Sequence, residues 1–187
     1  MKINNYCTYS VFTFLMCILY GCEKSNEYTD LKDKVNSDKL SSIRMAELPT
    51  NLLTTDDLGT AISVLEARKQ NEVTKKLIIE GFIGGRKEPF ASNRASFILG
   101  DHSIQTCDII QGDYCPTPWD ACCADRKNIL EGTLSVQLLD QNSSLIKGNL
   151  NGVGQLRPGL KIKIAGTVDS KSLPNSMLFN ALQIQAL

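Results

Sequence analysis

The sequence predicts a mostly β protein: a closed five-stranded barrel preceded by one α-helix, with a Cys-rich loop between the second and third strands. Three observations carry that expectation. From Val73 onward, apolar residues recur at alternate positions in five runs divided by turn chemistry. Gly81 and Gly166 lie inside two of the longer runs, where a small barrel needs a sharp bend. Four of the seven cysteines crowd into one segment too long for a simple hairpin. Length and composition agree: 187 residues, 42% hydrophobic, with a mean hydropathy of -0.12, suit one folded domain with appendages and argue against a long disordered or collagen-like chain. The 20 Lys and Arg balance 20 Asp and Glu, which removes any bulk attraction to nucleic acid or an anionic membrane surface. A single His argues against His-based triads and HExxH zinc sites.

Residues 1–21 read as a lipoprotein signal peptide. Lys2 is their only charge, and the apolar run over 11–20 is about half of the roughly twenty residues that a membrane-crossing helix needs. Leu19-Tyr20-Gly21-Cys22 resembles the lipobox of bacterial lipoproteins, with Tyr20 where a small residue is usual. The resemblance implies that Cys22 is diacylated and becomes the new N-terminus. Acyl chains contribute about 0.8 kcal/mol per buried methylene, enough to hold the chain at an envelope membrane. Cleavage there removes Lys2 and no acid, so the mature chain stays close to neutral. Residues 22–54 read as a flexible tether, rich in Lys, Asp, Ser and Asn and too poor in apolar side chains to offset the entropy of ordering.

The helix is expected within residues 55–72. Thr55-Asp56-Asp57 supplies an N-cap type and two acids suited to a helix N-terminus, and Leu58, Ile62 and Leu65 follow at helical spacing. Residues 73–187 carry the strands. In the first, over 73–84, Leu77, Ile79, Gly81 and Ile83 share one face while Lys76, Glu80 and Phe82 share the other. The second, over 95–99, ends at Gly100-Asp101. The third spans 133–139 with Leu134, Val136 and Leu138 inward. The fourth, over 160–168, alternates Leu160, Ile162 and Ile164 with Lys161, Lys163 and Ala165, and the fifth spans 178–184.

This order of features resembles an OB-fold. A long first strand with an internal Gly, a second ending in Leu-Gly-Asp, and Leu156-Arg157-Pro158-Gly159 leading into Ala165-Gly166-Thr167-Val168 carry the resemblance. It implies the fold and leaves the ligand open, because OB-folds bind oligonucleotides, oligosaccharides, proteins and small molecules alike. Gly81-Phe82-Ile83-Gly84-Gly85-Arg86 with Glu88-Pro89-Phe90, and then Cys115-Pro116-Thr117-Pro118-Trp119-Asp120-Ala121-Cys122-Cys123, resemble a group of exported bacterial lipoproteins, chiefly of planctomycete type. That resemblance implies compartment and fold, not chemistry.

The Cys loop, residues 101–126, contains Cys107, Cys115, Cys122 and Cys123. Export places these thiols where disulfides persist, and an even number in a compact segment fits a structural staple. Closing a loop of about fifteen residues contributes roughly 3 kcal/mol in the chain-entropy model. Adjacent Cys122 and Cys123 point apart on an ordinary backbone, so each is expected to pair with Cys107 or Cys115, in either connectivity. The alternative is a metal-binding or thiol-redox site from the same four, with His102, Asp108, Asp113 or Asp120 nearby. Its spacing departs from the two- to four-residue Cys gaps of structural zinc sites, and no CxxC motif is present.

Phe82, Arg86, Phe90 and Trp119 are the candidate ligand-face residues, Trp119 also being the natural apolar lid of a stapled loop. Lys75, Lys76, Arg86, Lys87 and Arg94 interleave with Phe82, Phe90 and Phe97, but Glu80 and Glu88 interrupt the patch and export removes nucleic acid as the usual partner. Neither Gly84-Gly85 nor the Gly-rich 148–154 stretch has a phosphate-cradling arrangement, and no GxSxG serine is present. The expected function is that of a membrane-anchored envelope lipoprotein acting as a non-catalytic binding or structural module for a protein or glycan, with no cofactor and no catalytic residues.

Overall fold

The computed structural model describes residues 45–70, 72–110, 112 and 114–187. The expected signal peptide, Cys22 and the expected tether up to residue 44 lie outside the described residues. The elements are β1 (Leu53–Thr54), β2 (Ile62–Ser63), α1 (Val64–Gln70), β3 (Lys76–Ile83), β4 (Ser96–Gly100), α2 (Arg126–Glu131), β5 (Thr133–Gln137), β6 (Lys161–Val168) and β7 (Leu178–Ala186). Five of these strands close a ring. β3 pairs antiparallel with β4 and with β6, β4 antiparallel with β5, β5 parallel with β7, and β7 antiparallel with β6. That is an OB-like barrel, and it has no free edge of its own. The outer strands β1 and β2 add parallel pairs to β7 and β3.

Alternation fills the interior. Leu77, Ile79, Gly81 and Ile83 of β3 are buried, as are Leu134 and Val136 of β5 and Ile162 and Ile164 of β6. β7 keeps its inward face only by means of a bulge. Ala165 pairs with Gln183 but Gly166 pairs with Ala181, so Leu182 is the extra residue and stands 57% exposed. The extra residue resets the period, which lets Phe179 and Ala181 before it and Ile184 after it all point into the core.

Two expectations at the N-terminal side need correction. The tether does not run to residue 54: Ala46 and Leu52 are buried in the barrel core, the Ala46 N–H donates to the Asn149 carbonyl at 2.9 Å, and β1 lies on β7. Two apolar side chains with a ready-made strand edge suffice to dock a polar segment. The helix does not begin at Thr55 either. Gly59 adopts a left-handed φ of 95°, Asp57 accepts from the Gly59 N–H and from Lys163 Nζ, and Ile62 is a strand residue opposite Ile79. The pairing edge of β3 outweighs the helical spacing of Leu58, Ile62 and Leu65, and the residues that α1 buries are Val64 and Ala67. Its N-terminal signal is Ser63-Val64-Leu65-Glu66, a capping sequence in which Ser63 Oγ accepts from the Glu66 N–H at 3.1 Å. A second cap comes from across the fold, where Asp101 Oδ2 accepts from the Leu65 N–H at 3.0 Å.

Candidate functional site

The long excursion between β4 and β5 is ordered by hydrogen bonds between its own arms. At its base the Asp101 N–H donates to the Gly132 carbonyl at 2.8 Å. Further out, a 3-10 turn at Cys107–Ile109 lies against the returning arm, with the Cys107 N–H on the Asp120 carbonyl at 2.8 Å and the Asp108 N–H on the Pro118 carbonyl at 3.3 Å. The loop is pinned to the barrel at Trp119. Its indole Nε1 donates to the Lys87 carbonyl at 3.1 Å, and its own carbonyl accepts from the Gly85 N–H at 2.9 Å. Gly84 permits this approach, since a Cβ there would sit 2.7 Å from the Trp119 carbonyl and 2.3 Å from the Phe82 ring.

Pinning the loop creates a cleft of ≈ 670 Å³ between it and the outer face of β3. Phe82 and Trp119 contribute aromatic rings, Glu80 and Asp108 carboxylates, and Arg157 and Lys161 cations. His102 and Glu80 approach at 3.5 Å on the rim, and the His102 ring lies 6.2 Å from that of Phe82. The volume falls within the range of ordinary ligand pockets. The other two candidate ligand-face residues lie elsewhere. Arg86 and Phe90 line a smaller groove of ≈ 340 Å³ beside β4 and β5, and the Phe90 ring packs on Phe97 with centroids 5.9 Å apart. Phe82 and Trp119 thus line one pocket and Arg86 and Phe90 another, so the four residues do not form one face. The basic residues are dispersed as well: Lys75 pairs with Glu72 at 3.2 Å, while Arg86 and Arg94 share the smaller groove with Glu88. Spacing along the chain gives no sign of His102, Arg157 and Lys161 as ligand-face residues, and only their convergence in space marks them.

Three of the four loop cysteines, Cys107, Cys122 and Cys123, converge, and no disulfide is formed among the described residues. The expected staple is therefore absent from this structure. Cys107 Sγ and Cys122 Sγ are 3.4 Å apart, Cys122 Sγ and Cys123 Sγ 3.8 Å, and all three sulfurs lie within 4.8 Å of one another. A disulfide requires about 2.0 Å. Cys115 hydrogen-bonds with Thr117 Oγ1 at 3.3 Å and also interacts with Cys107. Cys107 is 1% exposed, whereas Cys122 and Cys123 face solvent. Burial first, and then the neighbouring Cys122 and Cys115 thiols, push the Cys107 thiol above its ordinary pKa. The adjacent pair converges because Cys122 and Cys123 are the two central residues of a turn closed by the Ala124 N–H on the Ala121 carbonyl at 3.0 Å. On an extended backbone they would diverge.

No family model matches the chain, and no curated protein matches it. Among solved structures, a protein described as an aspartyl-tRNA synthetase from Leishmania major Friedlin is similar at 14% identity and a TM-score of 0.38, over 83% of this chain and 26% of that one. A likeness that slight carries no argument about this chain. Among the described residues no helix is long and apolar enough to cross a membrane.

Proposed function

We propose that this protein is a lipid-anchored envelope lipoprotein whose barrel is a non-catalytic binding module for a glycan, taken up in the cleft between β3 and the Cys loop. The observation that carries the reading is the cleft itself: concave, of ligand size, and lined by Phe82 and Trp119 with Arg157 and Lys161 beside them. Sugar rings offer an apolar face for an aromatic ring and hydroxyls for charged side chains, which suits that lining. A flat protein partner would engage about 800 Å² per side, a larger and shallower surface than this cleft presents.

Trp119 is the only Trp in the chain, so its fluorescence reports on this site alone. Titration of the full-length protein with soluble envelope oligosaccharides is expected to shift that emission saturably. Lys161→Ala should weaken binding about tenfold, equivalent to roughly 1.4 kcal/mol. Emission unmoved by every glycan but shifted by an envelope peptide would replace the glycan with a protein ligand. The anchor has its own test. Cys22→Ala is expected to abolish incorporation of labelled acyl chains and leave the precursor uncleaved, and normal labelling of that variant would refute the role of Cys22.

A further inference from the structure

The cleft does not use the sulfurs of the loop that walls it. We infer that Cys107, Cys115, Cys122 and Cys123 form a tetrathiolate site for a soft divalent ion, with Zn²⁺ the expected occupant. The spacing of the sulfurs suits such a site. At a Zn–S bond of about 2.3 Å, the sulfurs of a tetrahedral site stand about 3.8 Å apart. The 3.4 Å between Cys107 and Cys122 and the 3.8 Å between Cys122 and Cys123 lie close to that edge and far from a bond. Three sulfurs within 4.8 Å of one another form one face of the tetrahedron; Cys115 interacts with Cys107 but lies outside that group, and a shift of its side chain would bring it to the fourth corner.

The backbone around the site is arranged for the same geometry. The turn over residues 121–124 presents its two central cysteines side by side, and the Cys107-to-Asp120 hydrogen bond holds the third sulfur opposite them. Folding thus brings together sulfurs whose gaps along the chain depart from the usual zinc spacing. Donor chemistry selects the ion: thiolates favour Zn²⁺ over the oxygen-preferring Mg²⁺ and Ca²⁺. The exposed Cys122 and Cys123 give the ion a route in, and the buried Cys107 anchors the site to the loop interior. On binding, each ligating thiol releases its proton to solvent and no electron is transferred. The ion would tie both arms of the loop together, fixing the wall that carries Trp119. The site stands whether or not the cleft binds a glycan.

The test uses the full-length protein isolated without reductant or chelator. Elemental analysis is expected to find one zinc per chain. After exchange into Co²⁺, thiolate-to-cobalt charge-transfer absorption should appear in the near ultraviolet, and the four loop sulfurs should resist alkylation until a chelator is added. Cys122→Ser should lower the charge-transfer intensity by about a quarter, one thiolate of four, or lose the ion altogether. The cobalt spectrum of the unsubstituted protein decides the matter even if that variant fails to fold. Disulfides among these cysteines in a non-reduced peptide map, with no zinc and no cobalt charge-transfer band, would overturn the proposal. So would Cys107→Ser retaining one zinc per chain with undiminished charge-transfer intensity.

Discussion

Gly166→Val is expected to unfold the barrel or to destabilise it by about 4 kcal/mol or more, at the far end of what single substitutions do. The cause is steric and lies in backbone. A Cβ at residue 166 would stand 2.1 Å from the Asn180 carbonyl oxygen and 2.7 Å from the Phe179 ring. Neither neighbour can yield cheaply. Asn180 belongs to β7, which is paired on one side with β6 and on the other with β5, and Phe179 is fully buried. Moving β7 outward would break the β5–β7 pairing that closes the ring. The bulge at Leu182 would lose its register, turning Ile184 away from the core. Thermal and denaturant unfolding of the purified variant measure the loss. A midpoint within a few degrees of the parent would show that β7 can slide, and that the bulge does not depend on Gly166.

Asp101→Ala is expected to cost about 3 kcal/mol, or roughly 10 °C in the unfolding midpoint for a domain of this size. Asp101 is 4% exposed, and one carboxylate serves two elements. Oδ2 accepts from the Leu65 N–H at the start of α1, while Oδ1 accepts from the Ser103 N–H at 3.0 Å and from Ser103 Oγ at 2.7 Å at the base of the Cys loop. Removing it leaves partly buried donors without partners, and an unmet donor costs more than an average hydrogen bond contributes. Burial alone would raise the pKa of this carboxyl. The donors from Leu65, Ser103 and Ser63 outweigh burial, and the net effect holds it below the ordinary aspartate value. A depressed folded pKa contributes stability that is present above the unfolded pKa and is lost as pH falls through the folded one. Parent and variant should therefore differ in midpoint at neutral pH and converge in acid, below the usual aspartate range. A gap unchanged down to strong acid would show that the charge on Asp101 contributes nothing and that only its shape is needed.

Much of this fold was legible along the chain because alternation is a local property. The burial of Leu77, Ile79, Gly81 and Ile83, and of Ile162 and Ile164, follows directly from the period of two, and all five barrel strands lie where that period appears. The misreadings share one physical origin. Ile62 looks like a helical stripe residue until the edge of β3 offers it a partner, and Leu52 looks like part of a polar tether until the core offers it a place. The capping sequence Ser63-Val64-Leu65-Glu66 was present and marks the true start of α1 better than the acids at 56 and 57 do.

The candidate site was only half legible. Phe82 and Trp119 could be selected as aromatic ligand-face candidates, and they do share a cleft, Phe82 buried in its wall and Trp119 half-buried. Arg86 and Phe90 could not be separated from them by spacing, because the turn directly after β3 breaks the alternation and these two residues line a different pocket. Arg157 and Lys161 join Phe82 across more than seventy residues of chain and Trp119 across about forty, distances over which no periodicity operates.

By itself the sequence determined the mostly β class, the position of the five barrel strands and the gathering of four cysteines in one loop. Each of these is a matter of neighbouring residues or of composition. Only the tertiary structure decided the bulge that keeps β7 in phase, the reach of Asp101 to the helix N-terminus, and the partners of the four sulfurs. Spacing counts residues along a chain, whereas a thiol responds to distance in space, and here hydrogen bonds between the loop arms and within one tight turn set that distance.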